Sequence, residues 1–325
     1  MLSAFLSIVV PMFNEEGNVE RLADTIQHTL SGEDFDYELI LVDDGSTDNT
    51  WHLIQKVNAS NNRVKGLSLS RNFGHQNALF AGLHYAKGEA VITMDGDLQH
   101  PPAVVREMYT AWKSGYKIVE TRRIDGTDIS WFKKFTSRAF YWVFSRLSGF
   151  PMSPGTSDFR LMDATVVDIF KEMRDSRLFV RGFSHWIGFP RLTLEYHCGS
   201  RYAGKSKYSL RKMLSLSIAS LFSFSTIPLK LGIWLGLCTS MIAMGELVYT
   251  FWAYAHGRTV SGWASTLAVL SFMFGILFIL IGILGTYLAN ILDILKSRPR
   301  FLVNNKLGEF GPVESVNHHL FFKTS

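Results

Sequence analysis

Two long apolar stretches in the last third of the chain most strongly constrain how it can fold. The first, 231–255, contains Glu246 as its one charged residue, and the second, 264–292, contains none. Each exceeds the roughly 20 apolar residues that cross a bilayer as a helix. A buried core helix is the alternative, but neither stretch has the amphipathic pattern of such a helix. The pattern predicts a hairpin of two transmembrane helices, at about 229–253 and 265–290.

The basic residues that flank these stretches predict their orientation. The connecting turn, 256–262, holds one basic residue, Arg258, whereas several precede the first stretch and follow the second. Because basic residues concentrate in cytoplasmic loops, we expect a multi-pass inner-membrane protein with both termini in the cytoplasm. The flanking basic residues are Lys205, Lys207, Arg211, Lys212, Lys230, Lys296, Arg298, Arg300 and Lys306.

Composition favours a lipid-associated protein from a reducing compartment. The net charge of +5 suits contact with anionic lipid better than nucleic-acid binding, because the basic residues lie beside the apolar stretches. With two cysteines, Cys198 and Cys238, the chain lacks a cysteine-based metal site, and a structural disulfide is not expected. Gly275, Gly282 and Gly285 permit close helix packing, which is compatible with a homo-oligomer.

The chain before the apolar stretches alternates short β-rich runs with helical patterns. This alternation predicts βαβ units and a mostly parallel, Rossmann-like sheet in one cytoplasmic α/β domain over 1–208. The predicted strands are 6–11, 37–43, 64–69, 90–95 and 118–121, and the predicted helices are 17–30, 48–59, 74–86 and 102–114.

Other segments are expected to lie at the membrane surface. Residues 131–147 mix aromatic and basic side chains, and a helix there would place Trp131, Phe135 and Trp142 on one face. An ordinary helix packed on its own domain is an equally good interpretation. The remaining predicted segments are an amphipathic juxtamembrane helix over 209–226, the hairpin over 227–292 and a basic cytoplasmic tail over 293–325.

Acidic residues follow three of the predicted strands. The second strand ends at Asp43 and Asp44, and the fourth ends at Asp95 and Asp97, while the first runs into an acidic loop. In a parallel sheet these ends share the edge where α/β proteins bind ligands. An Asp-x-Asp pair offers oxygen ligands to Mg²⁺ or Mn²⁺, which take other ligands from water and substrate phosphates. A simple turn is the alternative for the second motif, and a helix N-cap is the preferred interpretation of Asp48.

These segments resemble the motifs of family 2 glycosyltransferases, which adopt the GT-A fold. The residues concerned are 9–15 (VVPMFNE), 42–48 (VDDGSTD) and 94–102 (MDGDLQHPP). Residues 70–74 (SRNFG) and 204–209 (GKSKYS) narrow the resemblance to the polyprenyl-phosphate glycosyltransferases, which include dolichyl-phosphate mannose synthase and the bactoprenol glucosyltransferases. The resemblance spans nearly the whole chain and implies a GT-A catalytic domain followed by interfacial helices and a transmembrane hairpin.

The resemblance implies a donor site with a divalent cation, Mg²⁺ or Mn²⁺. Asp97 would bind the cation that bridges the diphosphate, Asp95 would face the ribose and the metal, and Gln99 would lie near the metal and the sugar. The cation would stabilise the charge on the leaving nucleoside diphosphate. Arg71 would assist there, although a structural ion pair is equally compatible with its position. The residues implied to line the nucleotide pocket are Pro11, Phe13, Glu15 and Asp44.

An acceptor site for a polyprenyl phosphate is implied as well. Basic residues would hold its head group, with general attraction to the lipid surface as the alternative for each. Asp158 falls where the family carries an acidic residue beside the reacting centre, so it is the candidate general base. Because the second pKa of a phosphate monoester is about 6, the acceptor is already largely a dianion, and Asp158 could instead orient the acceptor or the sugar. The implied head-group contacts are Arg122, Arg201, Lys205 and Lys207.

Three further residues near these motifs are expected to support the site without taking part in the chemistry. Arg160 is expected to pair with an acidic neighbour. His75 and His100 lack the spacing of metal ligands, and we expect them to shape the site or to contact the sugar.

Together these observations predict an inverting transferase that moves one hexose from a nucleotide sugar to undecaprenyl phosphate at the cytoplasmic membrane face. A UDP-sugar is favoured over a GDP-sugar, and the lipid-linked product would supply the modification of cell-envelope glycans. The alternatives are a processive polysaccharide synthase and a non-catalytic membrane scaffold. The chain lacks the Gln-x-x-Arg-Trp segment that such synthases carry, and its intact acidic motifs argue against a scaffold.

Overall fold

The structure is a computed structural model of the chain. It describes residues 4–124, 156–173, 184, 187–197, 227–257, 262–296 and 298–310. These residues form two compact units, of which one contains a sheet with its flanking helices and the other contains two long helices. The predicted amphipathic helices at 131–147 and 209–226 lie outside the described residues.

The first unit alternates strands and helices, as the sequence predicts. Its strands are β1 (Ala4–Met12), β2 (Phe35–Asp43), β3 (Val64–Leu69), β4 (Ala90–Thr93), β5 (Ile118–Ile124), β6 (Thr156–Asp163), β7 (Arg191–His197) and β8 (Val303–Leu307). Its helices are α1 (Val19–Leu30), α2 (Thr50–Ser60), α3 (His75–Tyr85), α4 (Val104–Lys113) and α5 (Ala164–Glu172). Each strand and helix predicted up to residue 121 is present, and its ends differ from the predicted ends by only a few residues.

The strands of this unit form one sheet in the order β7-β5-β6-β4-β1-β2-β3-β8. Strand β1 lies between β2 and β4 and is parallel to both, and β3 is parallel to β2. Parallel strands are usually covered on both faces, which explains why β1 and β2 are apolar and almost entirely buried. The parallel centre confirms the predicted α/β architecture.

Apolar residues at helical spacing hold the helices on this sheet. In α1, Val19, Leu22 and Ile26 recur on one face, and all three are buried. Helix α3 lies closer still, because a Cβ atom at Gly82 would be only 2.1 Å from Cγ1 of Val9 in β1. A larger residue at position 82 would therefore push α3 away from the sheet.

Three strands are not predicted by the sequence. Strand β6 is inserted antiparallel between β4 and β5, and β7 runs parallel to β5 at one edge of the sheet. The register between β5 and β6 shifts between Glu120 and Arg122, and such an irregularity redirects the side chains that follow it. Strand β8, from the predicted basic tail, pairs antiparallel with β3 at the other edge.

The second unit consists of α6 (Ile227–Ala255) and α7 (Trp263–Leu295), which correspond to the two predicted apolar helices. By length and composition, the spans Gly232–Ala255 and Phe272–Leu295 are able to cross a membrane. A core helix would bury its large apolar side chains, whereas Trp234 in the first span is 68% exposed.

Candidate active site

The carboxyl ends of β1, β2 and β4 lie side by side at one edge of the sheet. Met12 at the end of β1 pairs with Asp43 of β2, and Val9 pairs with Thr93 of β4. The acidic segments that follow these strands are therefore neighbours, as expected for a parallel sheet.

The turn after β4 presents two carboxylates at this edge. Asp95 and Asp97 are both partly exposed, and Oδ1 of Asp97 accepts a hydrogen bond from the backbone N–H of Gln99 at 3.2 Å. Leu98 has a φ of 61°, in the left-handed region. A residue other than glycine adopts this conformation at a cost of about 1–3 kcal/mol, and such residues cluster at functional sites.

His100 supports the turn from its buried side. Its Nδ1 accepts a hydrogen bond from the backbone N–H of Asp95 at 2.9 Å. The proton of the neutral ring is therefore on Nε2, which lies 3.6 Å from Oδ2 of Asp95. The ring stacks on Phe159 with 4.9 Å between centroids. Burial lowers the pKa of His100, although the charge of Asp95 opposes this effect. These contacts agree with the predicted role in shaping the site.

Asp158 lies in β6 and connects this turn with the first residues of α3. Its side chain is buried, and Oδ2 accepts a hydrogen bond from Nε2 of Gln76 at 3.2 Å. Nε2 of His75 lies 3.7 Å from the same oxygen and 3.4 Å from Oδ1 of Asp95. His75 therefore lies between the candidate base and Asp95 of the predicted metal site. The sequence motif placed His75 near the site but did not identify Gln76.

Arg160 forms the ion pairs that the sequence predicts for it. Its fully buried guanidinium lies 3.6 Å from Oδ1 of Asp158 and 3.7 Å from Oε1 of Glu120. It also donates a hydrogen bond to Oγ of Ser184 at 3.1 Å. A buried guanidinium between two carboxylates restricts the positions of both, so Arg160 holds the Asp158 side chain in place.

Asp44 anchors the loop that precedes α3. Its two oxygens accept hydrogen bonds from the backbone N–H groups of Phe73 at 2.7 Å and Gly74 at 2.9 Å. Burial raises the pKa of Asp44, while these two bonds oppose the rise. At Gly45, with a φ of 66°, a Cβ atom would lie 2.4 Å from the backbone carbon of Arg71. The predicted nucleotide contact at Asp44 thus also shapes the neighbouring loop.

The loop after β1 is held by the start of α2. The backbone N–H of Glu15 donates to Oγ1 of Thr50 at 2.9 Å, and Oε2 of Glu15 accepts from Asn18 at 2.6 Å. Asp48 accepts hydrogen bonds from the backbone N–H and the hydroxyl of Thr50 at the first turn of α2, but the N-cap of this helix is Asn49, one residue after the predicted position. Although burial raises the pKa of Asp48, these bonds hold it below the usual value. Pro11 is buried at the end of β1.

Three arginines lie near this edge with different partners. Arg71 stacks on the ring of Phe73 at 4.1 Å. Arg122 forms an ion pair with Glu195 of β7. Arg123, which the sequence analysis did not single out, donates a hydrogen bond to Oε1 of Gln99 at 3.2 Å.

Three further predicted head-group contacts lie outside the described residues. They are Arg201, Lys205 and Lys207.

The donor set at this edge suits a hard divalent cation. Among the described residues, no group of three or more His, Cys, Asp or Glu side chains is arranged to enclose a metal. The two partly exposed carboxylates of Asp95 and Asp97 nevertheless fit, by their chemistry, a cation that takes its other ligands from phosphate and water.

Comparison with known proteins places these features in a family context. Residues 7–169 match the family described as Glycosyl transferase family 2. An uncharacterized glycosyltransferase of Synechocystis sp. is 37% identical over 96% of this chain and 99% of its own length. The bactoprenol glucosyl transferase of Shigella phage SfX is 34% identical over 93% of this chain and 99% of its own. A glucosyl-3-phosphoglycerate synthase structure from Mycobacterium tuberculosis aligns with a TM-score of 0.48 and 20% identity over 68% of this chain and 78% of that chain.

Proposed function

Because this chain belongs to glycosyl transferase family 2, we propose that it transfers a single hexose from a nucleotide sugar to undecaprenyl phosphate. A UDP-sugar is favoured over a GDP-sugar. The proposal rests on the convergence of Asp95, Asp97 and Asp158 at one sheet edge, in a chain that also contains two long apolar helices. Similarity to a bactoprenol glucosyl transferase over 93% of this chain supports a lipid-linked acceptor.

The proposed reaction is a direct displacement that inverts the anomeric carbon. An oxygen of the acceptor phosphate attacks this carbon and forms the new C–O bond. The bond to the nucleoside diphosphate breaks, and the diphosphate leaves with the electron pair. The protein must therefore stabilise negative charge on the leaving group and hold the nucleophile in line with it.

The acidic turn after β4 is the proposed place for the donor diphosphate. Asp95 and Asp97 would hold Mg²⁺ or Mn²⁺, and the cation, when bound, neutralises charge on the leaving group. Gln99 orients Asp97 through its backbone N–H and is itself held by Arg123. The residues proposed to line the rest of the nucleotide pocket are Pro11, Phe13, Glu15, Asp44 and Arg71.

Asp158 is proposed to orient the acceptor or the sugar. An acceptor phosphate is largely dianionic at neutral pH, which leaves little need for a base. Arg160 and Gln76 fix the Asp158 carboxylate from two sides, as an orienting group requires. The basic residues proposed to hold the acceptor head group are Arg122, Arg201, Lys205 and Lys207.

The chain path supports a hairpin that enters and leaves the membrane on the same side. Strand β8 follows α7 in the chain, yet it belongs to the same sheet as strands that precede α6. Two crossings return the chain to its starting side, whereas one crossing does not. Since Arg258 is the one basic residue in the turn between the helices, we propose that the catalytic domain and both termini lie in the cytoplasm.

Replacement of Arg122 tests its proposed contact with the acceptor. We expect Arg122→Ala to raise KM for undecaprenyl phosphate about tenfold, because a hydrogen bond to a charged group contributes roughly 1.5–3 kcal/mol. Glu195→Gln is the matched control, since it breaks the ion pair and leaves the guanidinium in place. The two variants would behave alike if Arg122 served the surface ion pair alone, and such pairs contribute little.

The proposed activity is tested with purified full-length protein in lipid nanodiscs. Radiolabelled nucleotide hexoses are supplied with undecaprenyl phosphate, and the lipid product is separated by chromatography. We expect a lipid-linked monosaccharide with Mg²⁺ or Mn²⁺ and none with EDTA. A long polymer would indicate a processive synthase, and failure to bind any nucleotide sugar in calorimetry would support a scaffold.

A further inference from the structure

Residues 299–310, the C-terminal segment, connect the end of the chain's second apolar helix with the edge of the catalytic sheet. Within this segment β8 pairs with β3. The carbonyl oxygen of Leu302 accepts a hydrogen bond from the backbone N–H of Ser70 at 2.9 Å. Ser70 begins the loop 70–74 that leads into α3, so the C-terminal segment holds the start of that loop.

The same segment also packs along α3. The guanidinium of Arg300 lies over the ring of Phe80 at 4.6 Å and donates a hydrogen bond to the carbonyl oxygen of Met173. The ring of Phe301 lies 6.2 Å from Phe80 and 6.1 Å from His84. Lys306 and Phe310 contact the ring of Tyr85, at 4.6 Å and 5.3 Å respectively. Each aromatic or cation–π contact is weak by itself, but together these contacts hold the C-terminal half of α3.

The opposite end of α3 lies in the candidate active site. Gln76 donates a hydrogen bond to Asp158, and His75 lies between Asp158 and Asp95. The helix has 11 residues and is therefore about 16 Å long. Because backbone hydrogen bonds link its roughly three turns, we expect a displacement of its C-terminal half to move His75 and Gln76 as well.

We propose that the C-terminal segment fixes α3 in the position at which His75 and Gln76 hold the carboxylates of Asp158 and Asp95. Arg300 and Phe301 are then positioning residues of the transfer reaction, acting through α3. The effect on the transfer reaction rests on the proposed function. The position of α3 rests only on the contacts of that helix.

The first test compares full-length Phe301→Ala with Leu302→Ala, a neighbour whose side chain is 52% exposed. We expect Phe301→Ala to lower kcat about tenfold and to leave KM for the donor within about twofold, since a 1 Å misplacement of reacting groups can cost about a hundredfold. Leu302→Ala should match the wild type. Phe301→Tyr should restore kcat, and Phe301→Leu serves as the milder variant should Phe301→Ala fail to fold.

A double-mutant cycle with Gln76→Ala distinguishes positioning from general destabilisation. If Phe301 acts through α3, the two substitutions together should lower kcat by clearly less than the product of their separate effects. Independent multiplication of the two effects, or an unchanged kcat in a folded Phe301→Ala or Phe301→Leu protein, would overturn the inference.

Hydrogen exchange separates this inference from the proposed function. We expect faster amide exchange in residues 73–80 of Phe301→Ala than in the wild type, whichever substrate is used. Faster exchange in a protein that transfers no sugar would uphold the bracing of α3 and reject the proposed function. Unchanged amide exchange would show that the C-terminal segment does not fix the position of α3.

Discussion

Transfer by the Asp97→Asn variant is expected to fall about a thousandfold or more, with near-normal folding. The substitution preserves the shape of the side chain and its capacity to accept the hydrogen bond from Gln99. It removes the negative charge proposed to hold the divalent cation beside the leaving diphosphate. Loss of one preorganised electrostatic group commonly costs 10²–10³ in kcat, and loss of the cation's support adds to this. The measurement is the rate of formation of the lipid-linked sugar at saturating Mg²⁺ or Mn²⁺.

Asp24→Asn is the matched control for this prediction, because Asp24 is an exposed aspartate on α1. It should retain full activity. Thermal unfolding of both variants in nanodiscs should resemble that of the wild type, and added metal with nucleotide should raise the melting temperature of the wild type but not of Asp97→Asn. Full activity of Asp97→Asn would remove Asp97 from the metal site.

Asp158→Asn should lower kcat about a hundredfold, the second largest effect expected. The amide can still accept the hydrogen bond from Gln76, but it lacks the charge that pairs with Arg160 and that is proposed to orient the substrates. A loss of orientation is expected to have an effect of this size, because a 1 Å misplacement of reacting groups can cost about a hundredfold. The stability of the variant is measured alongside its activity, because a buried arginine that loses one ionic partner destabilises a protein.

The pH dependence of this variant distinguishes an orienting group from a base. The second ionisation of a phosphate monoester lies near pH 6, and the dianion of the acceptor is the proposed nucleophile. If Asp158 orients, the residual activity of Asp158→Asn should rise with pH through about 6 and then level off, as in the wild type. A residual rate that keeps rising in proportion to hydroxide from pH 7 to 9 would instead assign proton removal to Asp158. Asp168→Asn, an exposed change on α5, is the control.

The parallel half of the fold could be predicted because its signals are local. Strands β1 and β4 are short runs of mainly apolar residues, and helices such as α1 carry one buried face at regular spacing. Strand β6 could not be predicted in this way, since its sequence mixes Asp158 and Arg160 with apolar residues and its partners are distant in the chain. Strand β8 contains Asn304, Asn305 and Lys306, which resemble a polar tail until β3 supplies a partner.

The candidate site was predictable as a set of strand ends but not as a set of contacts. Topology alone brings the segments around Asp44 and Asp95 to one edge. Arg123 contacts Gln99 close to a register shift between β5 and β6, and local sequence reveals neither feature. Likewise, local sequence does not predict that Asp44 accepts hydrogen bonds from the loop before α3, because the strand and the loop must first be placed together.

The pairing of β8 with β3 also determines when the catalytic domain can finish folding. The chain between Leu69 and Val303 includes both long apolar helices, so the ribosome makes them before it makes the partner of β3. Until then β3 has an open edge, and such edges readily pair with strands of other chains. We therefore expect newly made protein to be open to aggregation through β3 while the two apolar helices are being synthesised. The sheet of the catalytic domain is complete only after both apolar helices and β8 have been synthesised.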